Sequence, residues 1–360
     1  MILNTMAREN SWAPSDRRRQ PAVMLRPLID PAGWRPEDLK GTDAWVYRMN
    51  DREIDEVLAA VARIEARGLA LLGVRKDDFV VPTLAAGLAE MRAEVVSGRG
   101  FAVVRGLPVA GRTRLQTAIA FWGIGTHIGR AVSQNGKGHM LGHVKDLGGG
   151  PMGATDRVYH VGGAIDFHCD RSDILSLCCL HPAKSGGEHR ICSSVTLYNE
   201  MLKRRPDLVN ELTFRFYRSR RGEIPPGETE PWTRQPVFSI QDGYFAARGA
   251  TGTLMRTQQM PGVPKLTPAQ REAIDLYGKL CPDFALDLEF RIGDISYVSN
   301  HVTLHARTDY VDWPEPERKR HLLRLWLDTD GARPLHEDVA REIKGVLVPG
   351  TVLTAPLDVA

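Results

Sequence analysis

The sequence predicts a mainly β fold with flanking helices. Helical periodicity of apolar residues dominates up to about residue 130, and short apolar segments separated by glycine-rich turns dominate after it. Polar residues with metal-binding and anion-binding chemistry then fall inside or just beside those later segments.

The elements follow in order. Residues 1–25 are polar, with Pro14, Pro21 and the triple arginine Arg17-Arg18-Arg19, and read as a flexible N-terminal tail. Ile54, Val57, Leu58, Val61 and Ile64 recur at helical spacing, with Gly68 as a stop. A second helix begins near Thr83 with Leu84, Leu88, Met91 and Val95 on one side. Gly98-Arg99-Gly100 then turns the chain into a strand, Phe101-Ala102-Val103-Val104. A third helix runs through Leu115, Ile119 and Trp122. The stretch Asp146 to Gly153, centred on Gly148-Gly149-Gly150, lacks the Gly-Lys-Ser/Thr ending of a phosphate loop; it reads as a flexible connection and a candidate lid.

Further on come the apolar run Ile174 to Leu180, the turn Ser185-Gly186-Gly187, and a strand Arg190-Ile191-Cys192. Helices near Thr196 to Arg204 and from Pro206 interrupt the strands. Thr267-Pro268 is a cap with proline at the first helical position, leading Ala269 to Leu280. The last strands are Leu286 to Phe290, Ile295 to Ser299 and His321 to Leu327. No internal repeat occurs and the β-rich part is too continuous to divide, so residues 26–360 read as a single domain. Its parts are a helical N-terminal part (26–95), a core (96–330) and a C-terminal extension (331–360).

Composition narrows the function. The 360 residues are 42% hydrophobic and 25% charged, which suits a globular protein rather than a disordered or fibrous one. No run of 18 apolar residues and no leader-like start occur, so the expected location is cytoplasmic, with no membrane partner. The net charge of +3 is too small to imply nucleic acid, and Arg17 to Arg19, Lys203 to Arg205 and Arg218 to Arg221 read as solvated faces or tail. Five cysteines form no CxxC pair, and adjacent Cys178 and Cys179 read as buried free thiols. The N-terminal helices offer an interface for an oligomer.

Two motifs carry chemistry. In Phe167-His168-Cys169-Asp170, an extended backbone puts His168 and Asp170 on one face and Cys169 on the other. His305 follows 135 residues after Asp170, in Leu304-His305-Ala306-Arg307. Two imidazoles and a carboxylate suit iron(II) and leave coordination positions open. His301 stands four residues earlier, but His305 has the more telling Leu-His-x-Arg context. Arg320 and Arg324 share a parity in an otherwise apolar strand, roughly 13 Å apart at about 3.3 Å per residue. Guanidiniums on an interior face need anions, so the pair calls for two anions or the two ends of a dicarboxylate. The alternative is pairing with protein carboxylates or exposure on an edge strand.

Together with Gly186-Gly187-Glu188 and the run from Asn300 through Arg324, these motifs resemble the taurine dioxygenase family, which includes clavaminate synthase and gamma-butyrobetaine hydroxylase. The resemblance covers roughly residues 95 to 330. It implies a double-stranded β-helix (jelly-roll) core and an iron(II)- and 2-oxoglutarate-dependent dioxygenase. Such an enzyme oxidises, most often hydroxylates, a small organic substrate with dioxygen and releases succinate and carbon dioxide. It also implies that His168, Asp170 and His305 ligate iron and that Arg320 binds the distal carboxylate of 2-oxoglutarate. Arg324 would lie near the cosubstrate's other end or grip an anionic substrate. Where the family has a hydroxyl residue after the glycine-glycine-acid turn, this chain has His189, so His189, Ser193 and Ser194 compete for the second cosubstrate contact.

Gln134 and Asn135 are candidates to line the substrate pocket, with turn and core roles as the alternative. Asn300 and Arg307 are candidates to steady the distal histidine, and Trp326 reads as core. Two other functions share the metal motif: a 2-oxoglutarate-independent barrel isomerase or lyase, and a non-catalytic metal-binding protein. A nucleic-acid demethylase of the same broad fold is disfavoured by the modest charge and by the four-residue spacing of the two arginines.

Overall fold

The computed structural model describes residues 11–146, 148, 163–249 and 252–358. Two antiparallel sheets form a jelly-roll core. The larger has seven strands. Along its main path they run Val46–Arg48, Phe101–Arg105, Ile295–Ser299, Ile174–His181, His321–Asp328 and Arg130–Val132, and Gly142–Lys145 also pairs with His321–Asp328. Only its edge pair, Val46–Arg48 with Phe101–Arg105, is parallel. The smaller sheet orders Ala285–Leu288, His189–Ser193, Thr303–Arg307 and Ile165–His168.

Strand alternation sorts side chains into three apolar layers. Between the sheets, Val103, Leu177, Cys179, Ile191, Leu322 and Trp326 belong to one buried cluster. On the outer face of the larger sheet, Cys178, Tyr297, Leu323, Leu325 and Leu327 pack with the N-terminal helices. Outside the smaller sheet, Cys192 and Leu304 meet the helices Ser194–Arg204, Pro206–Glu211 and Pro268–Asp283. The period of two therefore explains how Cys178 and Cys179, adjacent in sequence, sit in different layers.

The helices begin where local chemistry starts them. Asn50 caps Asp51–Ala66, accepting from the Glu53 amide while the Glu53 carboxylate accepts from the Asn50 amide. Thr267 and Gln270 make the same reciprocal pair ahead of Pro268–Asp283. Pro82–Ser97 buries the expected Leu84, Leu88, Met91 and Val95. In Arg114–Thr126, Leu115 is exposed rather than core-facing, whereas Gly123 is buried so closely that a Cβ there would come within 2.1 Å of the Phe79 ring.

The described part of the expected N-terminal tail makes specific contacts. Residues 11–25 are tied to the body: the Trp12 indole donates to Glu90 at 3.1 Å, the Ser15 amide donates to Glu94, and Arg19 lies over the Tyr244 ring. Its prolines prevent regular structure, but its polar groups still find partners. The glycine-rich centre of the candidate lid lies largely outside the described residues. Two hairpins left unassigned in the sequence, Phe216–Ser219 with Trp232–Gln235 and Phe238–Gln241 with Tyr244–Ala247, complete one side of the site.

The layering predicts that Leu325→Ala, on the helix-facing side of the His321–Asp328 strand, costs about 2–5 kcal/mol of stability through cavity formation. Chemical denaturation measures that loss. Cosubstrate affinity per folded molecule is expected to stay unchanged.

Candidate metal and cosubstrate site

Sheet register brings the distant motifs together. His305 and His168 are direct cross-strand partners in the smaller sheet, and their ring centroids lie 4.1 Å apart. Asp170 follows the end of the Ile165–His168 strand, and the expected alternation holds, because Phe167 and Cys169 pack toward the helical layer on the other side. His168 Nε2 is 3.9 Å from Asp170 Oδ1, and His305 Nε2 is 3.7 Å from Asp170 Oδ2. The ligand atoms of all three residues lie within 4.8 Å of one another.

The protonation states fit a metal. Burial alone would raise the Asp170 carboxyl, but Arg324, His305, His168 and the Trp326 indole outweigh it and hold the pKa down to about 2. Burial lowers both His168 and His305, against the pull of Asp170, so their ring nitrogens keep free lone pairs at neutral pH. An ionised carboxylate and two neutral imidazoles are the donor set iron(II) takes.

Groups around the trio fix its geometry. The Trp326 indole N–H donates to Asp170 Oδ2 at 2.7 Å. The Asp170 amide donates to the Asn300 side chain at 2.9 Å, and His168 Nδ1 lies 2.8 Å from the Asp166 carbonyl. Asn300 therefore steadies the aspartate rather than the distal histidine. Arg307 instead donates to the Gly163 carbonyl. Trp326, read as core, is buried and also holds a carboxylate oxygen. His301 is drawn away, with Nε2 2.8 Å from Asp173 Oδ1.

Arg320, Leu322, Arg324 and Trp326 line one cavity of about 400 Å³ together with the trio, so the shared parity of the arginines is realised. The Arg320 guanidinium donates to the Gly187 carbonyl at 3.2 Å and lies over the Tyr310 ring. Its Nη1 is shut off from solvent without a hydrogen-bond partner, and among the described residues no carboxylate forms an ion pair with it. That is an orphaned buried cation facing a cavity beside the trio of His168, Asp170 and His305, and a carboxylate end of a dicarboxylate fits it. Arg324 differs: its Nε donates to Gln134 Oε1 at 2.7 Å and its Nη1 lies 3.9 Å from Asp170 Oδ2.

His189 belongs to the same cavity. It stacks on Phe290, 5.2 Å between centroids, and its ring centre is 6.1 Å from that of His305. Burial and the nearby Arg320 push it down to about 3, so it is neutral, and its Nε2 is buried without a partner. Ser193 Oγ instead caps the next helix, and neither Ser193 nor Ser194 lines the cavity. Gln134 stands behind Arg324, not in the cavity lining. Asn135 shapes a turn by accepting from the Lys137 amide, so neither residue reaches the pocket as expected.

The cavity also contains a basic group expected on solvated faces. Arg218, Arg220 and Arg221 line it, as do Arg171 and Arg248. A basic run beside a strand looks like an exposed edge until the tertiary fold covers it. The usable signal was Arg248, an arginine closing the apolar Tyr244–Ala247 strand.

These features define a two-histidine, one-carboxylate site on a jelly roll. The sequence profile of the Taurine catabolism dioxygenase TauD, TfdA family matches residues 65–326. The chain belongs to this family and is an iron(II)- and 2-oxoglutarate-dependent dioxygenase. Among its relatives, FR-33289 synthase of Streptomyces rubellomurinus is 30% identical over 86% of this chain and 93% of the relative. The taurine hydroxylase-like protein SAT17 of Stachybotrys chartarum is 29% identical over 86% and 82%. Among solved structures, asparagine oxygenase in complex with iron(II) matches with a TM-score of 0.62 at 16% identity, covering 79% of this chain and 94% of that one. The non-heme iron oxygenase OrfP in complex with iron and alpha-ketoglutaric acid matches at 0.58 and 15%, covering 83% and 100%. Family membership decides for the oxygenase over the 2-oxoglutarate-independent and non-catalytic readings. Among the described residues no helix is long and apolar enough to cross a membrane.

Removing the indole donor tests the support of the trio. Trp326→Phe is expected to weaken metal binding by about 10–100-fold, as loss of a ligand's hydrogen-bond partner does. Calorimetric titration with iron(II) under argon reads the change.

Proposed function

We propose that His168, Asp170 and His305 hold iron(II), that Arg320 receives the distal carboxylate of 2-oxoglutarate, and that the enzyme hydroxylates a small anionic organic substrate. The observation that carries this reading is the unpartnered, buried Arg320 nitrogen in the same cavity as the converged trio. Iron(II) and 2-oxoglutarate, when bound, supply the oxidising chemistry, with dioxygen consumed and succinate and carbon dioxide released.

The chain's own residues bind, orient and exclude. His189 is the second cosubstrate contact on this reading, because its buried Nε2 faces no other partner and its rivals Ser193 and Ser194 are elsewhere. Leu175, Leu177 and Leu322 line the same cavity and keep water from the reacting centre. Arg324, held by Gln134 and shared with Asp170, sets the orientation of the carboxylate ligand and faces the substrate. Residues 26–360 act as one catalytic domain, and the partners are small molecules in a cytoplasmic setting, with no nucleic acid. A phosphate-bearing substrate in the name of one relative, a uridine-5′-phosphate dioxygenase of a Streptomyces species, 28% identical over 48% of this chain and 64% of the relative, supports an anionic substrate.

Two substitutions separate the metal from the cosubstrate. Asp170→Ala is expected to abolish iron(II) binding and succinate formation together. Arg320→Gln is expected to leave iron(II) binding intact and raise the KM for 2-oxoglutarate by about tenfold or more, the worth of a charge-assisted hydrogen-bonded pair. Succinate release in the presence of iron(II) and dioxygen measures both. An unchanged KM in Arg320→Gln would remove that residue from the cosubstrate site.

A further inference from the structure

The arginines on the far side of the cavity are too many for the cosubstrate. Nine arginines and four carboxylates line the cavity. Iron(II) and 2-oxoglutarate bring equal and opposite charge, so binding both leaves the positive excess in place. The part of that excess carried by buried guanidiniums such as Arg248 is costly unless an anion joins it.

Three guanidiniums are open there. Arg218, on the Phe216–Ser219 strand, donates Nη1 to the Gly249 carbonyl at 2.6 Å, while its Nε and Nη2 are buried with no hydrogen-bond partner. Arg248 donates Nη2 to the Asp170 carbonyl at 3.0 Å, and its Nη1 is buried without a partner. Arg220 shares Glu342 with Arg171, at 2.7 and 2.8 Å, and its Nε and Nη1 are buried without hydrogen-bond partners. Arg220 Nη1 also lies 3.6 Å from Glu228. Arg220 and Arg248 are 5% and 6% exposed, so they have little access to water as a substitute. Thr233, the cross-strand partner of Arg218, lines the same wall.

Backbone carbonyls hold Arg218 and Arg248 in place without neutralising them, while Arg220 is fixed by Glu342 with two nitrogens left over, so several N–H donors remain from three directions. A planar carboxylate satisfies one fork. A tetrahedral group with three terminal oxygens and two charges satisfies three. We propose that Arg218, Arg220 and Arg248 form a subsite for a dianionic phosphoryl group on the substrate, whether a phosphate ester or a phosphonate. This rests on the dioxygenase reading and deepens it. Arg248 touches the residue that also supplies the carboxylate ligand, so the phosphoryl group lies beside the metal centre and the substrate is compact. Arg324, engaged by Gln134 and Asp170, is not the main anion receptor.

The test uses the protein loaded with iron(II) and 2-oxoglutarate with dioxygen excluded, titrated calorimetrically with methyl phosphate, methyl sulfate, methylphosphonate and acetate. The pH is kept above the second phosphate ionisation, about 6. Methyl phosphate is expected to bind at least about tenfold more tightly than methyl sulfate, which has the same shape and one charge fewer, and than acetate. Arg218→Gln and Arg248→Gln are each expected to lose about tenfold or more of that affinity, Arg218→Lys to recover part of it, and the exposed Arg204→Gln to lose none. Methylphosphonate binding separates the two phosphoryl sources. Equal binding of the anions by the native protein, or undiminished methyl phosphate affinity in both glutamine variants, would overturn the subsite. If neither glutamine variant folds, the ranking of anions by the native protein decides alone. Failure to bind 2-oxoglutarate in the loading step would count against the dioxygenase assignments instead, so the two failures are distinguishable.

Discussion

One carboxylate organises this molecule. Asp170 lies between two imidazoles, accepts from the Trp326 indole through Oδ2, faces Arg324, and is held through its amide by Asn300 and through its carbonyl by Arg248. These groups come from both sheets and from the loop after the Tyr244–Ala247 strand. An isolated buried carboxylate would take up a proton. Here the surrounding positive and hydrogen-bonding groups keep it ionised at neutral pH, which is the state a metal ligand needs.

The same constraint explains how the cavity tolerates so many guanidiniums. Their forks are satisfied in part by carbonyls of Gly187, Gly249 and Asp170 and by the carboxylate of Glu342, which bridges Arg171 and Arg220. Carbonyl partners position an arginine but leave its charge intact. The site is thus preorganised for anions, and the ordering of its donors is done by folding rather than by binding. Glu342 comes from the C-terminal extension, so residues beyond the barrel core contribute to the wall of the cavity.

Much of this was legible in the residues. The period-two placement of His168 and Asp170 and the parity of Arg320 and Arg324 depend only on strand geometry, and both hold. The cap at Thr267 is local, and a helix starts there. Other parts depend on contacts that no local pattern encodes. Arg218 to Arg221 resemble any solvated basic run until two hairpins fold over the cavity. Trp326 has the burial of a core residue, and its hydrogen bond to Asp170 spans 156 positions in the chain. Gln134, expected to line the pocket, instead accepts from Arg324 from behind. Residues 11–25 have the composition of a tail, yet their described contacts fasten them to Glu90, Glu94 and Tyr244.

The most direct test of the central claim is a crystal structure with iron(II) and 2-oxoglutarate bound in the absence of dioxygen. The account predicts the metal on His168 Nε2, an Asp170 carboxylate oxygen and His305 Nε2, with the far carboxylate of the cosubstrate on Arg320. A metal seated on His301 and Asp173, or a cosubstrate whose far carboxylate lies on Arg218 or Arg324, would contradict it.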